Sequence, residues 1–134
     1  MIYTISTVTV KKDISKIDRK IILYKGDRNI EIQFEILEGA YRQYKMQGGN
    51  TIENLGASYG QLLVRKPNSE VLISDIVETK DGRVIFTLPQ ELLDEDSEVG
   101  FYTFQIVLFD ESQESKVTLP PVIEGIEVKK TINE

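Results

Sequence analysis

Acidic side chains recur at alternate positions in the segment LDEDSEVG, a spacing typical of the start of a calcium-binding loop. Asp94, Asp96 and Glu98 would supply the carboxylate oxygens that Ca²⁺ prefers. Such a loop also needs a glycine at its sixth position and a bidentate glutamate at its twelfth, where this chain has Val99 and Gln105. The pattern therefore favours a solvated acidic loop, with a weak calcium site as the alternative.

The chain contains neither histidine nor cysteine. Nucleophilic triads usually take their base from histidine, and zinc and copper sites draw on histidine and thiolate ligands. Pairs of carboxylates could in principle hydrolyse a glycoside, but 22 acidic residues always offer such pairs, so the pattern is not specific. We therefore predict no catalytic residues, no metal site and no cofactor, and we interpret the chain as a non-enzyme.

Tyrosine and glycine residues concentrate in one irregular segment, residues 38–58. Loops of this length are uncommon in compact domains and are usually functional or mobile. Tyr41 and Tyr44, together with Tyr59, could form a stacking platform for sugars, although tyrosine also packs commonly inside β-sandwiches. Two interpretations stay open: a binding loop, and an extended crossover between sheets with a flexible Gly-Gly-Asn tip.

Length and composition describe one globular domain. The chain has 134 residues, of which 40% are apolar and 28% are charged, and a chain of this size can bury a single core without disulfide bonds. We expect one domain over residues 1–134. No stretch is apolar enough for a membrane span, and the start MIYTISTVTVKK lacks the features of a signal peptide, so we expect no membrane partner.

Charge is distributed unevenly along the chain, whose net charge is −6. Residues 1–28 carry an excess of lysine and arginine, and the remainder carries an excess of aspartate and glutamate. An acidic body repels a phosphate backbone, so we expect no nucleic-acid partner. The basic start and the acidic remainder favour either head-to-tail packing of copies or edge strands on which lysines discourage aggregation.

Side chains alternate with a period of two through most of the chain, which predicts β-strands. The predicted strands are YTISTVTV, IEIQFEIL, QLLVRKP, EVLISDIVET, RVIFTLP, residues 101–109, KVTLP and VIEGIEVKK. Asp81-Gly82 predicts a hairpin turn, and Pro89 predicts one short helical turn near residues 89–94. The fold class is therefore all-β, a two-sheet antiparallel β-sandwich of Ig-like or jelly-roll-like type, with a small barrel as the alternative.

Four stretches, taken in order, resemble the N-terminal domain of phage baseplate upper proteins, which belong to the tail and receptor-binding assemblies of phages of Gram-positive bacteria. They are DRNIEIQFEI at 27–36, ENLGASYGQLLVRKP at 53–67, DGRVIFTLPQELL at 81–93 and GFYTFQIVLFDE at 100–111. Their order and spacing are similar to those of that family over nearly the whole chain.

The resemblance implies a structural protein of the virion, encoded by a phage or prophage and made in the bacterial cytoplasm. Such domains attach a receptor-binding or fibre module to the tail or baseplate, usually as trimers. The implied partners are other phage tail and baseplate proteins and further copies of the chain, which would be the N-terminal module of a longer protein. The alternative function is a carbohydrate-binding module that recognises cell-wall sugars through Tyr41 and Tyr44. A small glycosidase is a third and weaker possibility.

The strand GFYTFQIVLF is apolar on both of its faces. Phe101, Val107 and Phe109 fall on the face opposite that of Tyr102 and Phe104. Such a second face is covered either by another element of the same chain or by a neighbouring subunit. Because the implied attachment role requires a contact surface, we predict Phe101, Val107 and Phe109 as interface residues.

Overall fold

A computed structural model of the protein describes residues 3–11, 17, 20–37, 57–80, 83–94, 97–114 and 116–132. Within these residues the chain forms ten β-strands and one 3₁₀ helix, which spans Gln90–Leu92. The strands are β1 Tyr3–Lys11, β2 Ile21–Tyr24, β3 Ile30–Leu37, β4 Tyr59–Arg65, β5 Val71–Ile73, β6 Val77–Glu78, β7 Arg83–Thr87, β8 Gly100–Phe109, β9 Lys116–Thr118 and β10 Val122–Lys129.

The strands assemble into a small and a large sheet. The small sheet has the order β1-β3-β7, and the large sheet has the order β2-β10-β8-β4-β5, with β6 also paired to β4 and β9 to β8. The predicted all-β, two-sheet fold is thereby confirmed. The antiparallel pairing that was predicted holds for the other strand pairs, whereas two pairs, β1–β3 and β2–β10, are parallel. Parallel neighbours need a crossover connection between them. For β1 and β3, the chain leaves the small sheet after β1, forms β2 in the large sheet and then returns as β3.

The two sheets face each other across one aromatic-rich core. The ring of Phe34 on β3 lies 5.3 Å from the ring of Phe104 on β8 and 5.9 Å from that of Phe86 on β7. The strict alternation of β3 explains this, because Ile32, Phe34 and Ile36 are all fully buried while the residues between them are partly exposed. Each such side chain contributes roughly 1.5–3 kcal/mol by leaving water.

A bulge in β10 brings the backbone of that strand against the core. The register advances from Val122 to Ile126 on β10 while it moves only from Phe104 to Tyr102 on β8. Glu124 takes the left-handed conformation, with a φ of 57°. Gly125 follows it on the buried side, where a Cβ atom would lie 2.5 Å from the Phe104 ring. The position therefore requires glycine.

The 3₁₀ helix closes one end of the sandwich and confirms the predicted helical turn. Leu92, its last residue, and Leu93, which follows it, are buried in the core. The Ser97 hydroxyl donates a hydrogen bond of 2.9 Å to the Glu91 carbonyl, and the Tyr102 hydroxyl donates one of 2.6 Å to the Glu98 carbonyl. Burial raises the pKa of Tyr102, and the negative charge of Glu98 adds to that effect.

The segment EVLISDIVET forms two strands instead of the single strand that was predicted. Both β5 and β6 pair with β4, and residues 74–76 leave the ladder between them. At the break the hydroxyl of buried Ser74 accepts a hydrogen bond of 2.9 Å from the Leu62 N–H and donates one of 3.0 Å to the Asp75 carbonyl. A side chain thus replaces the missing backbone partner of β4.

Candidate interaction surface

The predicted interface residues lie on the outer face of the large sheet, the face that points away from the small sheet. They differ in accessibility: Phe101 is 44% exposed, Val107 is only 8% exposed, and Phe109 is half-buried. Val107 stands opposite Gln61 and Thr118, and Phe109 stands opposite Tyr59 and Lys116. Of the three residues, Phe101 therefore offers the most apolar surface to a partner.

A cation and an anion flank the ring of Phe101. The Lys20 ammonium lies 4.6 Å from the ring centroid, and it also forms an ion pair of 2.6 Å with Glu127, the residue directly opposite Phe101 on β10. The hydrogen bond from Lys20 lowers the pKa of the Glu127 carboxyl. Because Lys20 contacts both Phe101 and Glu127, the Phe101 ring lies next to a charged pair on the sheet surface.

Exposed apolar side chains also line both edges of the large sheet. On β2 they are Ile22 and Tyr24, and at β5 they are Val71, Ile73 and, just beyond the strand, Ile76. Sequence reasoning missed both groups. The tetrapeptide IILY was too short to stand out as a strand. The exposure of Val71 and Ile73 follows from the place of β5 at the end of the sheet, and that of Ile76 from the break after Ile73.

A groove of about 550 Å³ opens beside β7, lined by Gln33, Glu78, Thr79, Lys80, Arg83 and Ile85. Arg83 is already paired with Glu35 at 3.5 Å. Glu78 is the single carboxylate among the lining residues that the structure describes, whereas glycoside hydrolysis uses two. The groove therefore presents no arrangement of groups that assigns a reaction to it.

The described part of the chain holds no group of three or more acidic residues placed to bind a metal ion. Asp94 and Glu98 of the calcium-like segment are exposed there, and Asp96 lies outside the described residues. Tyr41 and Tyr44, the predicted sugar platform, also lie outside the described residues, so sugar binding stays a prediction. The predicted Asp81-Gly82 turn lies outside them too. Among the described residues, none belongs to a helix long and apolar enough to cross a membrane.

Comparison with known proteins identifies the fold. The chain matches no protein-family model and no curated protein sequence. Among solved structures it is similar to the "N-terminal domain of phage TP901-1 ORF48", with a TM-score of 0.62 and 13% sequence identity. The likeness covers 95% of this chain and 99% of that one. The described part of the chain therefore has the fold of a phage N-terminal domain, which confirms, at the level of fold, the resemblance seen in its sequence.

Proposed function

We propose that the chain is a non-enzymatic structural domain of a phage tail or baseplate. The observation that carries this proposal is the extent of the structural likeness, which leaves almost no part of either domain unmatched. The ordered sequence motifs support the same family independently of the fold. Both favour a domain at the N-terminus of a longer virion protein, whose following segment would be a receptor-binding or fibre module.

The outer face around Phe101 is the surface that we assign to a tail partner. Aromatic residues at the centre of an interface carry a large share of the binding energy, and Phe101 is the exposed aromatic side chain on β8, the middle strand of the sheet. Lys20 and Glu127 supply a polar rim around it. Val107 and Phe109 support this surface by packing, since less of their area is accessible.

Location in the particle tests the role itself. Phage particles would be purified from a bacterial strain that encodes the chain, and antibodies against the purified chain would be applied in immunogold electron microscopy. We expect label at the end of the tail. Particles that contain no trace of the chain by mass spectrometry would contradict the proposal.

A matched pair of variants tests the surface. The immobilised chain would be used to retain tail proteins from disrupted particles, and Phe101→Thr would be compared with Ile85→Thr. Ile85 is 43% exposed, as Phe101 nearly is, but it lies on β7 of the small sheet, so its replacement should leave retention unchanged. We expect Phe101→Thr to weaken retention by roughly 2 kcal/mol, the loss that defines a hot spot at an interface. Equal retention by both variants would remove Phe101 from the interface.

A further inference from the structure

The surface around Phe101 continues across β10 to the edge strand β2. The strand register places Phe101, Glu127 and Ile22 side by side in one row, and Lys129 beside Tyr24 in the next row. The residues that alternate with them on the three strands are buried, so all five side chains point away from the core. Phe101, Ile22 and Tyr24 are 44%, 43% and 41% exposed, so they are almost equally accessible. We call these five residues the extended Phe101 surface.

The apolar side chains of this surface are close enough to be covered by one partner. Phe101 and Ile22 are separated by the single strand β10, which corresponds to roughly 10 Å. Ile22 and Tyr24 lie two residues apart on β2, which corresponds to roughly 7 Å. An interface of ordinary size has an apolar centre at least this wide. Ile22 and Tyr24 therefore belong to the same contact surface as Phe101.

The charges on this surface do not cancel. Lys20 and Glu127 neutralise each other through their ion pair of 2.6 Å. The hydrogen bond from Lys20 lowers the pKa of Glu127, and the nearby positive charge of Lys129 acts in the same direction. Lys129 itself is exposed, and none of the residues that the structure describes forms an ion pair with it. The surface thus carries one excess positive charge, on a chain whose net charge is −6.

This excess charge restricts what can cover the surface. A partner that covers Phe101, Ile22 and Tyr24 also removes water from Lys129, which lies among them. An ammonium group that loses its water needs a counter-ion, because an unpaired buried charge is costly. A second copy of this chain would bring two cations for one carboxylate, so the joined surfaces would hold two excess positive charges. A different protein with an acidic group fits better.

We propose that the tail partner presents an aspartate or glutamate within an apolar surface, and that this carboxylate binds Lys129 while the apolar groups cover Phe101, Ile22 and Tyr24. The inference rests on the proposed function and specifies the chemistry of the partner at the same surface. The apolar side chains supply contact area, and the ion pair selects the partner. A neutral or basic protein would leave Lys129 without a counter-ion in the contact.

Zero-length cross-linking tests the ion pair directly. The purified chain would be mixed with tail proteins released from disrupted particles and treated with a carbodiimide, which couples a lysine amine to a carboxylate in contact with it. Mass spectrometry would map the products. We expect Lys129 to be coupled to an aspartate or glutamate of another tail protein. Lys80, which is exposed beside β7 on the small sheet, is the internal control and should stay uncoupled to that protein.

Charge reversal provides the matched pair of variants. Lys129→Glu should weaken retention of the tail partner by about tenfold or more, and Lys80→Glu should leave it unchanged, since both lysines are exposed and only one faces the partner. Raised salt concentration should weaken retention by the wild type more than by Lys129→Met, which keeps the apolar stem and loses the charge.

Several outcomes would overturn the proposal. They are retention by Lys129→Glu equal to that of the wild type, coupling of Lys129 to other copies of this chain alone, and a wild-type dimer in light scattering that Ile22→Lys abolishes. If Phe101→Thr weakens retention while Lys129→Glu does not, the partner chemistry is refuted and the tail contact stands. Particles that lack the chain would instead refute the proposed function.

Discussion

The aromatic ring of Phe104 occupies the space that a side chain at Gly125 would need, with Cε1 of the ring 2.5 Å from the position of a Cβ atom. The Val122 side chain closes the same space from within β10, at 2.8 Å. Phe104 also packs against Phe34 of the facing sheet. The absence of a side chain at Gly125 therefore leaves room for the Phe104 ring, which makes a contact between the two sheets.

Gly125→Ala should destabilise the protein, because Phe104 cannot move without disturbing its contact with Phe34. Overpacking of this kind costs about 1–3 kcal/mol in free energy of unfolding, which urea denaturation measures. In the Phe104→Leu background the same alanine should cost less, since the ring is gone, so the two changes should be non-additive. Full additivity, or a neutral Gly125→Ala, would show that the bulge can relax.

The hydroxyl of Tyr102 should stabilise the end of the sandwich that the 3₁₀ helix closes. Tyr102→Phe keeps the buried ring and removes the donor to the Glu98 carbonyl, so we expect a loss of about 0.5–1.5 kcal/mol in thermal or urea unfolding. Tyr24→Phe, at an exposed position, is the matched control and should change stability little. A Tyr102→Phe variant as stable as the wild type would show that the bond adds nothing.

Stability should fall at alkaline pH because of the same residue. The pKa of Tyr102 is raised in the folded state, so folding favours its protonated form. Its contribution is complete below the ordinary pKa of 10.0 and is lost as pH rises through the folded-state value. Urea unfolding between neutral pH and the range above 10.0 should therefore show a steeper decline for the wild type than for Tyr102→Phe. Parallel curves would contradict the assignment.

Loss of the Ser74 hydroxyl should weaken the β4 edge. In Ser74→Ala the buried Leu62 N–H loses its acceptor, and a stranded buried donor costs about 1–3 kcal/mol in free energy of unfolding. Ser112→Ala, in the exposed turn after β8, is the control and should stay within about 0.5 kcal/mol of the wild type. Amide exchange at Leu62 should also accelerate in Ser74→Ala. Unchanged exchange there would mean that another acceptor replaces the hydroxyl.

Much of the sheet structure followed from period-two alternation. It placed β3, whose residues alternate without interruption, and β8, where Tyr102, Phe104 and Ile106 share one parity, and Pro89 marked the short helical turn. Alternation failed where the backbone departs from a regular strand. In β10 it put Glu124 on the buried side with Val122 and Ile126, whereas the bulge exposes Glu124 and buries Gly125. A bulge depends on contacts with the opposite sheet, which a local pattern does not contain.

The interaction surface could be predicted only in part for a related reason. Alternation identified Phe101 and Val107 as members of one face, and they are. It could not rank their accessibility, because that depends on which strands and side chains cover each position in space. The exposed apolar edges also depend on strand order: β2 and β5 are ends of the sheet only because β10 and β4 lie inside it.

The pairing of β2 with β10 has a consequence for synthesis. Ile21 on β2 pairs with Ile126 on β10, more than 100 residues later in the sequence. Among the described strands, β10 is the one neighbour of β2. Contacts between residues so distant along the chain form slowly, since the loop between them must first close. During synthesis, β2 leaves the ribosome before β10, and its apolar side chains stay uncovered until β10 has also emerged. The large sheet is therefore completed only after translation has passed residue 129.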